Sequence, residues 1–152
     1  MKRTFIAVLL LAGLIAVPVM AQDFESPKPQ IFSFSFGVPL GYDLDVEDII
    51  AGSHFGLSIT VVDNMEVGFE TLAGANLIRL AYSFTDQFGA AIGYGRWGIR
   101  SAATLGIFGT FIQQRAANGI AYSLGIRVDY LADTDAFDSG RILFTPRMSF
   151  GL

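Results

Sequence analysis

Residues 31–42, IFSFSFGVPLGY, decide how the rest of the chain is read. Phe32, Phe34, Phe36, Val38, Leu40 and Tyr42 take alternate positions, and Ser33, Ser35, Gly37 and Gly41 fill places between them. Successive side chains on a β-strand point to opposite faces, so this segment has one greasy face and one face of small groups. A helix would scatter the same large residues around its axis.

The alternation recurs seven more times. Residues 53–62 set Phe55, Leu57, Ile59 and Val61 against His54, Gly56, Ser58 and Thr60. Residues 65–72 set Met65, Val67 and Phe69 against Glu66, Gly68 and Glu70. Ile78, Leu80, Tyr82 and Phe84 oppose Arg79, Ala81 and Ser83 in 76–84. In 88–97, Phe88, Ile92 and Tyr94 oppose Gly89, Gly93 and Gly95. The stretch 102–111 is the least regular: Leu105, Ile107 and Phe111 share a face, and Phe108 sits on the other. In 119–130, Ile120, Tyr122, Leu124, Ile126, Val128 and Tyr130 oppose Ser123, Gly125, Arg127 and Asp129. In 141–152, Ile142, Phe144, Met148, Phe150 and Leu152 oppose Arg141, Thr145, Arg147 and Ser149.

Turn-forming clusters separate these stretches. Asp63-Asn64, Ala73-Gly74-Ala75 and Thr85-Asp86-Gln87 read as tight turns, and the acidic runs 43–52 and 131–140 as loops. The pattern predicts an all-β chain, an eight-stranded antiparallel up-and-down β-barrel whose closure removes both sheet edges.

The first 21 residues read as an export signal. Lys2 and Arg3 precede an almost wholly apolar run from Thr4 to Val19, and Val19 and Ala21 are small residues placed for cleavage after Ala21. The run is shorter than the ~20 residues a membrane span needs. Residues 22–30, QDFESPKPQ, form an extended polar leader, and 31–152 form the barrel. With no cysteine, the chain has neither a disulfide nor a site for lipid attachment at a lipoprotein cleavage site. Without Lys2 and Arg3, 8 basic side chains stand against 14 acidic ones, a net charge of −6. No basic patch exists for nucleic acid.

The greasy faces could meet lipid outside or a ligand inside. A soluble barrel with its greasy faces inward would show water a surface of Gly, Ser, Ala and Thr with few charges. Soluble surfaces carry far more Lys and Glu than that. Lys28 is the one lysine after the signal, and 52% of the chain is hydrophobic without a second long apolar run. A transmembrane barrel has the reverse arrangement, and its backbone groups are satisfied between strands. Phe32, Phe84, Phe88, Phe111 and Phe150 fall near strand ends at one rim, and Tyr42, Phe55, Trp97 and Tyr130 at the other. Such aromatics form the interfacial girdles of membrane barrels.

With these features the stretch 31–152 resembles the small eight-stranded outer-membrane barrels of the OmpX, OmpW and OmpA transmembrane-domain type. The resemblance rests on the signal, strand number, strand length and facing, with no diagnostic motif. It implies an outer-membrane location in contact with lipid, periplasmic termini and a terminal strand read by the barrel assembly machinery. In such proteins that strand usually ends on an aromatic residue. Here the end is Met148-Ser149-Phe150-Gly151-Leu152, with the aromatic two positions early.

An eight-stranded lumen can be filled by side chains. The inward charges are Glu66, Glu70, Arg79, Arg127, Asp129, Arg141 and Arg147. Pairing across Ala73-Gly74 places Gly68 opposite Arg79, so that Glu66 and Glu70 flank the arginine, with Gly93 beside it leaving room. Asp129 is expected near Arg141. These charges read either as a structural plug or as a narrow polar path.

Catalysis is not expected. The one histidine, His54, adjoins Ser53, but neighbours on a strand face opposite ways, and Ser58 lies too far along it. Asp43, Asp45, Glu47 and Asp48, with Asp133, Asp135 and Asp138, read as solvated loop charge. The second run has Phe137 where a calcium loop needs a ligand. No metal or cofactor is implied. Pro39 and Pro146 lie in the first and last strands, which must pair to close the barrel. A missing proline donor facing that seam would loosen it and could let it open sideways to a hydrophobic solute, as proposed for OmpW-like barrels. The expected role is that of a monomeric structural or surface protein of the envelope. A narrow channel for small or hydrophobic solutes comes second, and a secreted soluble barrel binding an apolar ligand third.

Overall fold

The alternation is realised as a closed antiparallel sheet. The structure, a computed structural model, describes residues 31–117, 119–134 and 139–152; the expected signal and leader lie outside the described residues. Its strand segments are β1 Phe32–Gly37, β2 Leu40–Asp43, β3 Asp48–Ala51, β4 His54–Val62, β5 Met65–Leu72, β6 Ala75–Ser83, β7 Phe88–Trp97, β8 Arg100–Arg115, β9 Ala121–Asp133 and β10 Gly140–Gly151. No helix occurs among the described residues.

Segments β1 and β2 both pair with β10 in one continuous register, from Gly37 opposite Arg147 to Leu40 opposite Phe144. On the other flank the register also runs through, from Gly37 opposite His54 to Leu40 opposite Ala51. So β1–β2 is one strand and β3–β4 another, and the barrel has eight strands, closed where β1–β2 meets β10.

The two prolines cause the interruption, each on a different side. At the seam, Leu152 N–H donates to Phe32 O at 2.9 Å and Phe32 N–H donates to Leu152 O at 3.5 Å. Antiparallel ladders alternate bonded and non-bonded pairs, so the even residues of β1–β2 bond toward β10. The pair Val38–Pro146 falls on that series, and Pro146 has no N–H to give. On the opposite flank the odd residues bond: Thr60 N–H donates to Ile31 O at 3.1 Å, and Gly52 N–H to Pro39 O at 2.9 Å. Pro39 cannot return the second bond of its pair. It is Pro146 whose missing donor faces the seam.

Strand limits differ from expectation in several places; in the run 131–140, read as a loop, β9 continues to Asp133 and β10 begins at Gly140. Half of the run 43–52 is strand: β3 pairs with β2, and the chain reverses over 44–47. Acidic residues there mask an alternation that Ile49 and Ile50 continue. Asp43 closes the reversal by accepting the amides of Asp45 and Val46 at 3.0 and 3.4 Å. The irregular stretch 102–111 belongs to the longer β8. Thr110 faces Gly125 and Ile112 faces Leu124, so Phe111 is an extra residue, a β-bulge. Facing changes parity there: Thr104 and Gly106 are buried before it, while Ile112 and Gln114 point outward after it. The turn between β5 and β6 has Ala73 at φ 47° and Gly74 at φ 88°. Two successive positive φ values are the signature of a hairpin turn that matches the strand twist.

Large apolar side chains cover the outside. On β6, Leu77 is 0% exposed and its neighbour Ile78 68%. The inward series continues with Arg79 and Ala81, both buried, and the outward one with Leu80 and Tyr82, both exposed. The greasy faces of the other strands point out in the same way. Inside, the end bearing the connections after β2, β5, β7 and β9 (the loop end) is packed with Leu72, Ala75, Leu77, Ala102, Leu131 and Leu143, all at 0% exposure. The other end, with the chain termini of the barrel and the connections after β4, β6 and β8, is the turn end.

Candidate functional site

Below the apolar packing at the loop end, a layer of charge crosses the lumen. Arg127 on β9 donates from Nη1 and Nη2 to the two carboxylate oxygens of Glu70 on β5, at 2.5 and 2.9 Å. In the ring of eight strands these two stand opposite one another, so this bidentate pair ties facing walls together. The same guanidinium donates from Nε to Asp129 Oδ1 at 2.7 Å. All three residues are at most 1% exposed. A charge buried this far from water persists only with partners of matched geometry, which a planar guanidinium between two carboxylates supplies. Gly106, the cross-strand partner of Asp129, is part of the fit: a Cβ there would lie 2.1 Å from Asp129 Oδ1.

Glu70 is the hub. Arg79 Nε lies 3.8 Å and His54 Nε2 3.5 Å from its Oε2. Arg79 and Arg147 each place a guanidinium over the ring of Phe108, at 5.5 and 4.9 Å from its centroid. Such contacts offset part of the cost of holding a cation off water. Toward the turn end, Glu66 accepts a hydrogen bond from Ser58 Oγ at 3.0 Å, and Ser58 Oγ pairs with Ser33 Oγ at 2.7 Å.

One expected partnership is replaced and another holds in part. Asp129 pairs with Arg127 rather than Arg141. Arg141 lies two positions nearer the loop end, opposite Asp43, to which its Nε donates at 2.6 Å. Arg79 is opposite Gly68 as expected, but its carboxylate neighbour is Glu70, and Glu66 turns to Ser58. The signals were present: Arg127 and Asp129 are two apart on one face, and Arg141 faces Asp43 once the first and last strands are paired. His54, set against Phe55 and Leu57 by the alternation, joins the charge layer; its parity with Gly56 marked it as inward. Asp133 also takes an ion pair, from Arg100 Nη1 at 2.9 Å, whereas Asp135, Phe137 and Asp138 lie outside the described residues.

Of the girdle aromatics, Trp97 is turned the other way. It packs on the apolar cluster inside the loop end, and Arg141 lies 3.7 Å over its ring. The cause is parity: Trp97 shares the face of Gly93 and Gly95 and pairs with inward Ala75. Phe32, Phe55, Phe84 and Tyr130 are exposed on the outer wall, and Tyr42, Phe88 and Phe150 are half-buried there. Phe150 stacks on Phe34 across the seam with centroids 5.5 Å apart. Phe111 sits in the bulge.

At the turn end the lumen opens as a cup of about 550 Å³. Its floor is Arg79, Phe108 and Arg147; Ser35, Ser58, Thr110, Ser123 and Ser149 are among the hydroxyls on its walls; Asp63 and Asp86 stand on the turns at its mouth.

No protein-family model, no curated protein and no solved structure matches the chain. Fold and interior together define a class: a closed eight-stranded antiparallel β-barrel, apolar outside, with a charge-crossed lumen that is packed at one end and open at the other.

Proposed function

We propose that this chain is an integral outer-membrane β-barrel with a structural or surface role in the envelope and no catalytic activity. The observation that carries the reading is the outer wall. Ile59, Phe69, Ile78, Tyr94, Leu105 and Met148, on six different strands, are each more than two-fifths exposed. Water-soluble monomers rarely expose contiguous apolar patches beyond a few hundred Å², whereas a lipid-facing barrel needs an apolar band all the way round. Outward polar residues gather at the edges of the band. Thr71, Asn76, Arg96 and Ser101 follow one another across β5, β6, β7 and β8 near the loop end. Gln114, bonded by the Tyr122 hydroxyl, lies near the turn end.

In this reading the barrel works as a monomer in contact with outer-membrane lipid, with its termini and cup on the periplasmic side. The assembly machinery reads the alternating strand that ends at Leu152. Fractionation of producing cells, followed by electrophoresis of the outer-membrane fraction with and without boiling, tests it. Recovery in that fraction, with faster migration before boiling, is expected. Recovery in the soluble periplasm would overturn it. A second reading, a narrow channel for small solutes, is favoured by the cup, which carries water-sized space as far as Arg79 and Arg147. Single-channel conductance in planar bilayers is its measurement.

A further inference from the structure

We propose that the cup at the turn end binds a small hydroxylated anion, of the sugar-acid or sugar-phosphate class, with Arg147 holding its charge. This goes beyond the envelope role and rests on the barrel interior, which is the same whatever covers the outer wall.

The cup volume, about 550 Å³, falls within the ~300–1,000 Å³ of small-molecule sites. The inward arginines Arg79, Arg127 and Arg147 are matched in number by Glu66, Glu70 and Asp129, but not all of them are paired at contact distance. Arg127 is held between Glu70 and Asp129, and Arg79 lies beside Glu70. Among the described residues Arg147 forms no ion pair with a carboxylate, and its neighbour is the Phe108 ring. A guanidinium at the base of a recessed cavity is a fitted receptor for a carboxylate or phosphate, which it can grip with two parallel N–H donors. The walls determine the rest of the ligand. Hydroxyls of Ser35, Thr110, Ser123 and Ser149 line the space between floor and mouth, and each can donate and accept. Asp63, Glu66 and Asp86 stand nearer the opening. They disfavour a bare anion passing through and accept hydrogen bonds from ligand hydroxyls. A polyol with one anionic end, inserted charge first, meets both halves of the cup.

The test uses the full chain purified in detergent, followed by amide NMR. Glucuronate and glucose 6-phosphate are titrated separately; neutral glucose and inorganic sulfate are the controls. Saturable shifts centred on Phe108, Thr110 and Ser123 are expected with at least one hydroxylated anion and with neither control. Which of the two binds distinguishes carboxylate from phosphate. Arg147→Gln should weaken binding by roughly tenfold or more, the loss of a charge-assisted hydrogen bond, and Arg147→Lys should restore part of it. Ser123→Phe, which fills the cup from its wall and leaves Arg147 in place, should abolish binding and decides the matter if Arg147→Gln does not fold. No shift at millimolar anion, equal shifts with glucose or sulfate, or unchanged binding in a folded Arg147→Gln or Ser123→Phe protein would each overturn the proposal.

Discussion

The two ends of one lumen are built on opposite principles. At the loop end, Leu72, Leu77, Leu131 and Leu143 fill the bore without leaving exposed surface. At the turn end the corresponding inward positions carry serine and threonine, and the bore stays open. The strands and their closure are common to both halves, and apart from the bulge in β8 so is their facing, so the difference comes chiefly from side-chain volume. Between them lies the buried layer of Arg127 and its two carboxylates. A barrel of this size is divided into a structural half and an accessible half by the residues on a single face of each strand.

Breaking the layer between the halves should have the largest effect. Arg127→Met strands Glu70 and Asp129 as buried carboxylates without their main partner. Loss of one side of a buried pair costs about 3–5 kcal/mol, to be read from urea unfolding of the refolded barrel. If the loss stays below about 1 kcal/mol, the layer is not what holds the walls together. The contrast between the halves is sharpened by Leu77→Ala beside Ser123→Ala. The first should cost about 2–5 kcal/mol through lost burial and a cavity. The second should stay within about 0.5 kcal/mol, and similar values would erase the distinction.

Smaller effects test the frame around both halves. Pro146→Ala returns a donor to the seam opposite Val38. The new ladder bond, worth about 1 kcal/mol, should slow unfolding and protect the new amide in hydrogen exchange. No slowing would mean that the seam is already closed by its neighbours. Ala73→Gly removes a Cβ from a residue at φ 47°. Relief of the left-handed penalty is partly offset by the greater freedom of glycine in the unfolded chain. The net expected is a gain below about 1 kcal/mol by the same unfolding assay.

Much of the fold was legible because its signal is local. The alternation of residues 31–42 fixes which side chains share a face, whatever the rest of the chain does. It failed where the local signal changed phase or was disguised. The bulge at Phe111 shifts the parity of β8 beyond it, and Phe108 looked misplaced because it is a large apolar residue on the inward face, beneath Arg79 and Arg147. The charges of Asp43, Asp45, Glu47 and Asp48 suggested a loop across a segment that pairs as β2 and β3. Trp97 was assigned by position near a strand end, when its parity with Gly93 and Gly95 already turned it inward.

The charge layer was legible as a set of residues and not as a set of bonds. Most inward ionisable groups could be named from the alternation, because facing depends only on a residue and its immediate neighbours; Asp43 and Asp133, which read as loop charge, are the exceptions. Which carboxylate meets which guanidinium depends on how far adjacent strands are staggered and on which strands face one another across the closed ring. Glu70 and Arg127 stand 57 positions apart in sequence and on opposite walls. Only closure brings them together, and only the packing of one end against the openness of the other makes a cup of the remaining space. The sequence by itself determined strands, faces and an apolar exterior, since these follow from a period of two. The tertiary structure decided the partners and the cavity, since these follow from stagger and curvature that no single strand encodes.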